Sequence, residues 1–251
     1  MPETLVPDAA MAARKGLLAR FFGVLTSPRQ TYADIAQRPA WLGMFLLVVV
    51  VSAACGGWLT STAVGRRAVL EKTEEGMRAT EKLGVRIPDD RRAAVLDQVR
   101  TKPDWRMYSD AFVGTLVFVP IVCAVIAGIL LGVFNAVLGG DAKFKQVYAV
   151  VMFSQAVVIV ERLFKAPLNY ALESLNNPTT FGALLPMLDD KSVIKAMLGS
   201  IDFFTLWWLV SLSIGLGVLY KRPTRGIAIS LIGIYVVLAV TIAAGIALIT
   251  G

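Results

Sequence analysis

Five long apolar runs, at residues 41–64, 111–138, 146–164, 202–220 and 226–250, decide which solvent this chain can fold in. A bilayer core about 30 Å thick takes roughly 20 apolar residues of helix, and each run reaches about that length. Inside hydrocarbon no water completes a backbone hydrogen bond, so the runs must be helical. The expected class is all-α: a polytopic membrane protein with five transmembrane helices, an N-terminal amphipathic helix and an extramembrane helical hairpin. Of the 251 residues, 56% are hydrophobic and the mean hydropathy is +0.66. The division that follows is an N-terminal interfacial region at 1–40 and a membrane domain at 41–251. The hairpin occupies 64–110, between the first two spans.

The first apolar run starts near Trp41, too far in and too long for a cleavable leader, so the first span is expected to serve as the targeting signal. Net charge is +7. The cations are scattered among acids or lie beside spans, where they fix orientation, and no nucleic-acid partner is expected. Cys55 and Cys123 fall inside apolar runs and read as small hydrophobes. With no histidine, the chain lacks the commonest general base and the commonest metal ligand. It carries no metalloprotease helix motif, no phosphate-cradling glycine loop and no nucleophile elbow, so no catalytic, cofactor-binding or metal-binding residue is assigned and no enzyme activity is expected.

Residues 1–12 are expected to fray. Leu17, Leu18, Phe21, Phe22 and Leu25 then share one helical face, with Arg14, Lys15 and Arg20 around it. This segment is either a basic helix in the interface plane or a helix packed on the bundle. Ser27-Pro28 is a helix start, and the next helix runs through Tyr32 and Ile35 to stop before Pro39. Between spans one and two lie eleven Lys/Arg and nine Asp/Glu. Arg67 with Glu71, and Glu74 with Arg78, have helix-pair spacing. Gly84 and Pro88 mark the bend of a hairpin that Lys102-Pro103 ends. Pro120 is expected to kink the second span. The loop 166–201, with its Asn176-Asn177-Pro178 turn and Phe181, Leu184, Leu185, Pro186 and Met187, is too apolar for full solvation and should dock on the bundle or lie half-immersed.

Three cations in the turn 221–225 and the basic N-terminus favour a cytoplasmic N-terminus and a C-terminus on the far side. The eleven cations of the first loop pull the other way.

The stretch SPRQTYADIAQRPAW before the first span resembles the opening of the Yip family, the Ypt/Rab-interacting membrane proteins, in its bacterial branch. KFKQVYAVVMFSQAVVIV is similar to that family's Phe-x-Gln entry into the third span. NNPTTFGALLP and IDFFTLWWLVSLSIGLGVLYK are similar to its Asn-Pro loop and Asp-Phe-x-x-x-Trp fourth span. The ordered set covers most of residues 20–250. The resemblance implies a five-span protein with a cytoplasmic N-terminus and no enzyme activity, here in a bacterial inner membrane.

Ionisable groups at membrane depth are costly and therefore worth attention. Glu161 and Arg162 lie late in the third span and Asp202 opens the fourth on the same face, so Asp202 either pairs with Arg162 or caps its own helix. Gln155, Ser154 and Asn135 are uncharged candidates for hydrogen bonds between helices, and Gln155, Glu161, Arg162 and Asp202 form the candidate polar set. Gly128 with Gly132, and Gly215 with Gly217, are candidate sites of close helix approach. The expected function is a non-catalytic scaffold that binds lipid and other membrane proteins or itself, or an accessory subunit of an exporter. The alternative is a small transporter or channel subunit with a polar path near Glu161 and Asp202, whose small-molecule ligand the sequence leaves unspecified.

Overall fold

The computed structural model describes residues 16–250 apart from 83, 184, 186 and 188–192, with backbone alone at 193 and 246–250. The expected fray at 1–12, with Arg14 and Lys15, falls outside the described residues. Among the described residues every regular element is helical, and 81% of the structure is helix.

Two short helices, α1 (Leu17–Thr26) and α2 (Pro28–Gln37), turn about Ser27. The first span α3 (Leu42–Ser61) is separated from α4 (Ala63–Lys82) by Thr62 alone, whose extended backbone (ψ 155°) breaks the helix. Its hydroxyl donates to Leu59 O at 2.7 Å and accepts from Gly65 N at 3.0 Å. The bend is so tight that a Cβ on Gly65 would run into the Leu59 carbonyl. Helix α4 ends at the left-handed Gly84 (φ 87°), and α5 (Asp89–Thr101) follows Pro88, as the sequence indicates. Glu81 and Arg92 join the two arms at 2.7 Å.

Helix α6 (Asp104–Leu131) begins seven residues ahead of its apolar run and holds Pro120 inside it. It continues as a π-helical turn, Gly132–Val137, that periodicity does not reveal. The third apolar run is two helices, α7 (Phe144–Ser154) and α8 (Ala156–Ala171), joined at Gln155. Beyond the loop come α9 (Val193–Gly199), α10 (Phe203–Leu219) and α11 (Thr224–Thr250).

Helix α7 is the axis: every residue from Val147 to Ser154 is buried. Tyr32 and Ile35 of α2, Met44 and Val48 of α3, and Leu212 and Leu216 of α10 close around it. In lipid such packing is held by dispersion and close fit, because the tails outside are as apolar as the core. Helix α3 lies along α6 and α8, α10 lies against α2, α7 and α11, and α9 rests on α11.

Among the described residues four helical stretches are long and apolar enough to cross a membrane: Leu42–Ser61, Asp104–Val137, Phe144–Ala171 and Thr224–Gly245. The fourth apolar run forms a shorter helix of 17 residues.

The N-terminal stripe divides. Phe21 and Val24 face the core, whereas Leu18 (62% exposed) and Phe22 (58%) face outward. Of the two settings left open for this helix, Arg20 takes the one packed on the bundle. It is buried, with Nε 2.8 Å from Asp34 Oδ2, because a guanidinium within the bundle needs an acid beside it.

Candidate functional site

The principal polar cluster is built on Asp202, at the head of α10. Extended backbone (φ −105°, ψ 134°) makes it the N-cap. Its Oδ1 accepts from Thr205 N at 2.9 Å, placing negative charge on the positive end of the helix dipole. Its Oδ2 accepts from Thr179 Oγ1 at 2.6 Å, Asn177 Nδ2 at 2.9 Å and Lys165 Nζ at 3.0 Å. The ammonium of Lys165 also meets Glu161 Oε1, one turn earlier on α8, at 2.6 Å.

The backbone completes the cluster. Asp202 N donates to Tyr235 Oη of α11 at 3.1 Å, and that hydroxyl donates to Ser200 O at 3.0 Å. Phe181 N to Ile201 O (3.0 Å) and Phe203 N to Thr179 O (3.1 Å) frame a short antiparallel bridge between Thr180 and Asp202. One carboxylate, 5% exposed, thus fastens α8, the loop and α10, while its own backbone reaches α11. Asp202 lies outside the apolar helix that it caps. Burial pushes its carboxyl up, but the donors from Thr179, Lys165, Thr205 and Asn177 outweigh that and hold it below the usual value. A carboxylate so saturated with donors is an anchor rather than a base awaiting a proton.

The four sequence candidates fall into two groups. Glu161 and Asp202 meet through Lys165. The partner of Asp202 is therefore Lys165 and not Arg162. Arg162 is exposed and lines a separate groove of about 360 Å³ between α3, α6 and α8, together with Gln155, Ser52 and Thr115. At the α7–α8 junction Gln155 Nε2 donates to Cys123 Sγ at 3.6 Å. Next to it Ser154 Oγ accepts from Trp208 Nε1 at 2.8 Å and donates to Val151 O at 2.7 Å. Asn135 turns back on its own loop, its Nδ2 donating to Ala142 O at 2.8 Å.

A second polar contact lies at the heart of the bundle, where Tyr32 Oη and Ser211 Oγ are 2.8 Å apart. Burial pushes the Tyr32 phenol above its ordinary value, against the opposing pull of Ser211. Gln146 Nε2 donates to Ala36 O at 3.0 Å and ties α2 to the start of α7.

The glycine expectations split in the same way. A Cβ on Gly215 would lie 2.5 Å from Val150 Cγ1 and 3.0 Å from the Tyr32 ring, so α10 approaches α7 and α2 there. At Gly217 it would meet Thr224 Oγ1 at 2.7 Å, in the turn between α10 and α11. Gly128 and Gly132 face open space, and no described helix approaches them. Small-residue spacing permits close approach but does not supply the neighbour.

Lys165, Asn177, Thr179, Thr205 and Tyr235 are members of the Asp202 cluster that sequence reasoning missed. Lys165 had a signal, standing four residues after Glu161 on one helix face. Asn177 lay in a segment read only as a turn. Thr179 and Tyr235 join through tertiary contacts that no local pattern carries.

Apolar helices around a polar cluster at one end define a helical integral membrane protein. The chain matches the Yip1 domain over residues 22–246. It belongs to the Yip1 family. No curated protein and no solved structure matches it.

Proposed function

We propose that this chain is a non-catalytic scaffold that holds other membrane proteins, or copies of itself, within the bilayer, and that it serves as an accessory subunit of an export complex. The observation carrying this reading is the contrast between interior and periphery. The interior polar groups are spent on partners inside the bundle: Asp202 on Lys165, Ser211 on Tyr32 and Ser154 on Trp208. By contrast α11 buries only 6% of its apolar window, and Phe118, Ile121 and Val125 of α6 point away from the bundle. Surface of that kind accepts lipid or another protein's helix.

In this proposal α10 also crosses and brings the spans to five, since 17 residues at 1.5 Å each give about 25 Å, enough with slight thinning of the bilayer. The N-terminus is cytoplasmic, the C-terminus lies on the far side, and the membrane is a bacterial inner membrane.

Photo-crosslinking residues at Phe118 and Val237, in cells at native expression, test the scaffold. Protein adducts at these positions support it. Adducts to lipid alone, with no self-association in mild detergent, remove it.

A second reading rests on the groove holding Gln155 and Arg162, which would be part of a solute path in a small transporter. Proteoliposome flux that falls on Arg162→Gln, with the scaffold adducts unchanged, would favour it.

A further inference from the structure

A cleft of about 510 Å³ opens on the outer surface between the π-helical end of the second span and the start of α11. Its walls are Leu130, Val133 and Phe134 on one side and Ile227 and Leu231 on the other, with Arg222 at its mouth. Helices α6 and α11 make no substantial packing contact, so the cleft is a gap between elements held apart. Two contacts keep it open. Phe134 is stacked on Tyr220 with ring centroids 4.6 Å apart, and Arg222 Nη2 donates to Leu138 O at 2.5 Å, joining the turn after α10 to the end of the π segment. An apolar gap facing hydrocarbon gives water no partners and takes up a tail instead. Its volume lies within the usual ligand-pocket range of about 300–1,000 Å³.

The mouth selects the headgroup. Arg222 lines it, Lys221 and Arg225 are exposed within three residues of Arg222, and none of the three has an ion-pair partner among the described residues. Lys143 and Lys145 lie in the neighbouring segment with a single acid, Asp141. We infer that this cleft is a binding site for one anionic diacyl phospholipid, with a tail between α6 and α11 and the phosphate on Lys221, Arg222 and Arg225. A helix from a second copy would leave those three cations uncompensated, whereas an anionic headgroup neutralises them.

The test is native mass spectrometry of the full chain released from mild detergent, offered phosphatidylglycerol and phosphatidylcholine of identical tails. The wild type is expected to retain one phosphatidylglycerol, with a preference of about fivefold for each cation engaged. Lys221→Asn with Arg225→Gln should remove most of that preference. Asn suits the left-handed backbone at 221 (φ 51°), and both positions are exposed, so the fold is spared. Gly226→Leu, where an added Cβ meets nothing within 4 Å, should fill the mouth and reduce retention of both lipids. Equal retention of the two lipids by the wild type overturns the site. So does an undiminished preference in the double variant, or replacement of the lipid adduct by a second copy of the chain. If Gly226→Leu fails to fold, the double variant decides alone.

Discussion

Lys165 reaches from α8 to Asp202 at the head of α10, its ammonium 3.0 Å from Oδ2, while Glu161 holds the same ammonium at 2.6 Å from the other side. Removing the cation leaves two carboxylates facing each other with 7% and 20% side-chain exposure. Lys165→Met should therefore cost about 2 kcal/mol, less than a fully buried pair because Thr179, Asn177 and Thr205 still serve Asp202. Adding Glu161→Gln should recover part of the loss. Thermal unfolding in detergent reads both, and an unchanged midpoint in Lys165→Met would dismiss the cluster as a fastening. Because the Asp202 value is depressed, its contribution is full above the ordinary carboxylate value of about 3.9 and is lost as pH falls through the lowered folded value. Asp202→Asn should erase that acid-side loss.

The two neighbouring phenylalanines of α1 should behave differently. Phe21→Ser removes a ring from the core and should loosen the α1–α2 hairpin by about 3 kcal/mol, so that trypsin cuts faster at exposed Arg29. Phe22→Ser touches an outward ring and should leave the cleavage rate within about twofold of wild type. Equal sensitivity in both variants would mean that α1 lies flat in the interface, with both rings in lipid.

Two glycines singled out as candidate sites of close helix approach should part company as well. Gly215→Ala forces a methyl against Val150 and Tyr32 and should destabilise the bundle by about 1–3 kcal/mol. Gly128→Ala meets open space and should be neutral or stabilising by up to about 1 kcal/mol. Loss of an oligomer on Gly128→Ala, seen by crosslinking, would show instead that a partner helix sits there.

Topology is read by single cysteines at Arg78 and Arg225, both exposed, in a background lacking Cys55 and Cys123. An impermeant thiol reagent is expected to label Arg78→Cys in intact cells and Arg225→Cys only after lysis. The reverse pattern inverts the proposed orientation.

Hydropathy made the membrane class legible, and turn chemistry at Gly84, Pro88 and Pro103 placed the hairpin to within a few residues. Those features depend on residues near one another in the chain. The third span hid its break because Gln155 is compatible with a helix, and only the packing around Trp208 and Cys123 distinguishes a junction there. The sequence left the setting of Arg20 open between the interface and the bundle, because its acid, Asp34, lies fourteen residues away across a turn. An added methyl would crowd Val150 and Tyr32 at Gly215 and would meet nothing at Gly128, since spacing describes one helix and approach requires two.

The base of the α4–α5 hairpin has a consequence of its own. Arg66 donates to Lys102 O at 2.6 Å and pairs with Asp104, and Lys102 pairs with Asp110, so the start of α4 is clasped to the start of α6. Beyond that clasp a thread from Lys72 Nζ to Leu175 O, at 3.4 Å, leads back to the loop after the third span. The hairpin is in effect an interchangeable handle. Its length and surface can drift, be shortened or be swapped for another module while the helices below keep their register, and a version trimmed beyond the clasp should melt with the parent bundle.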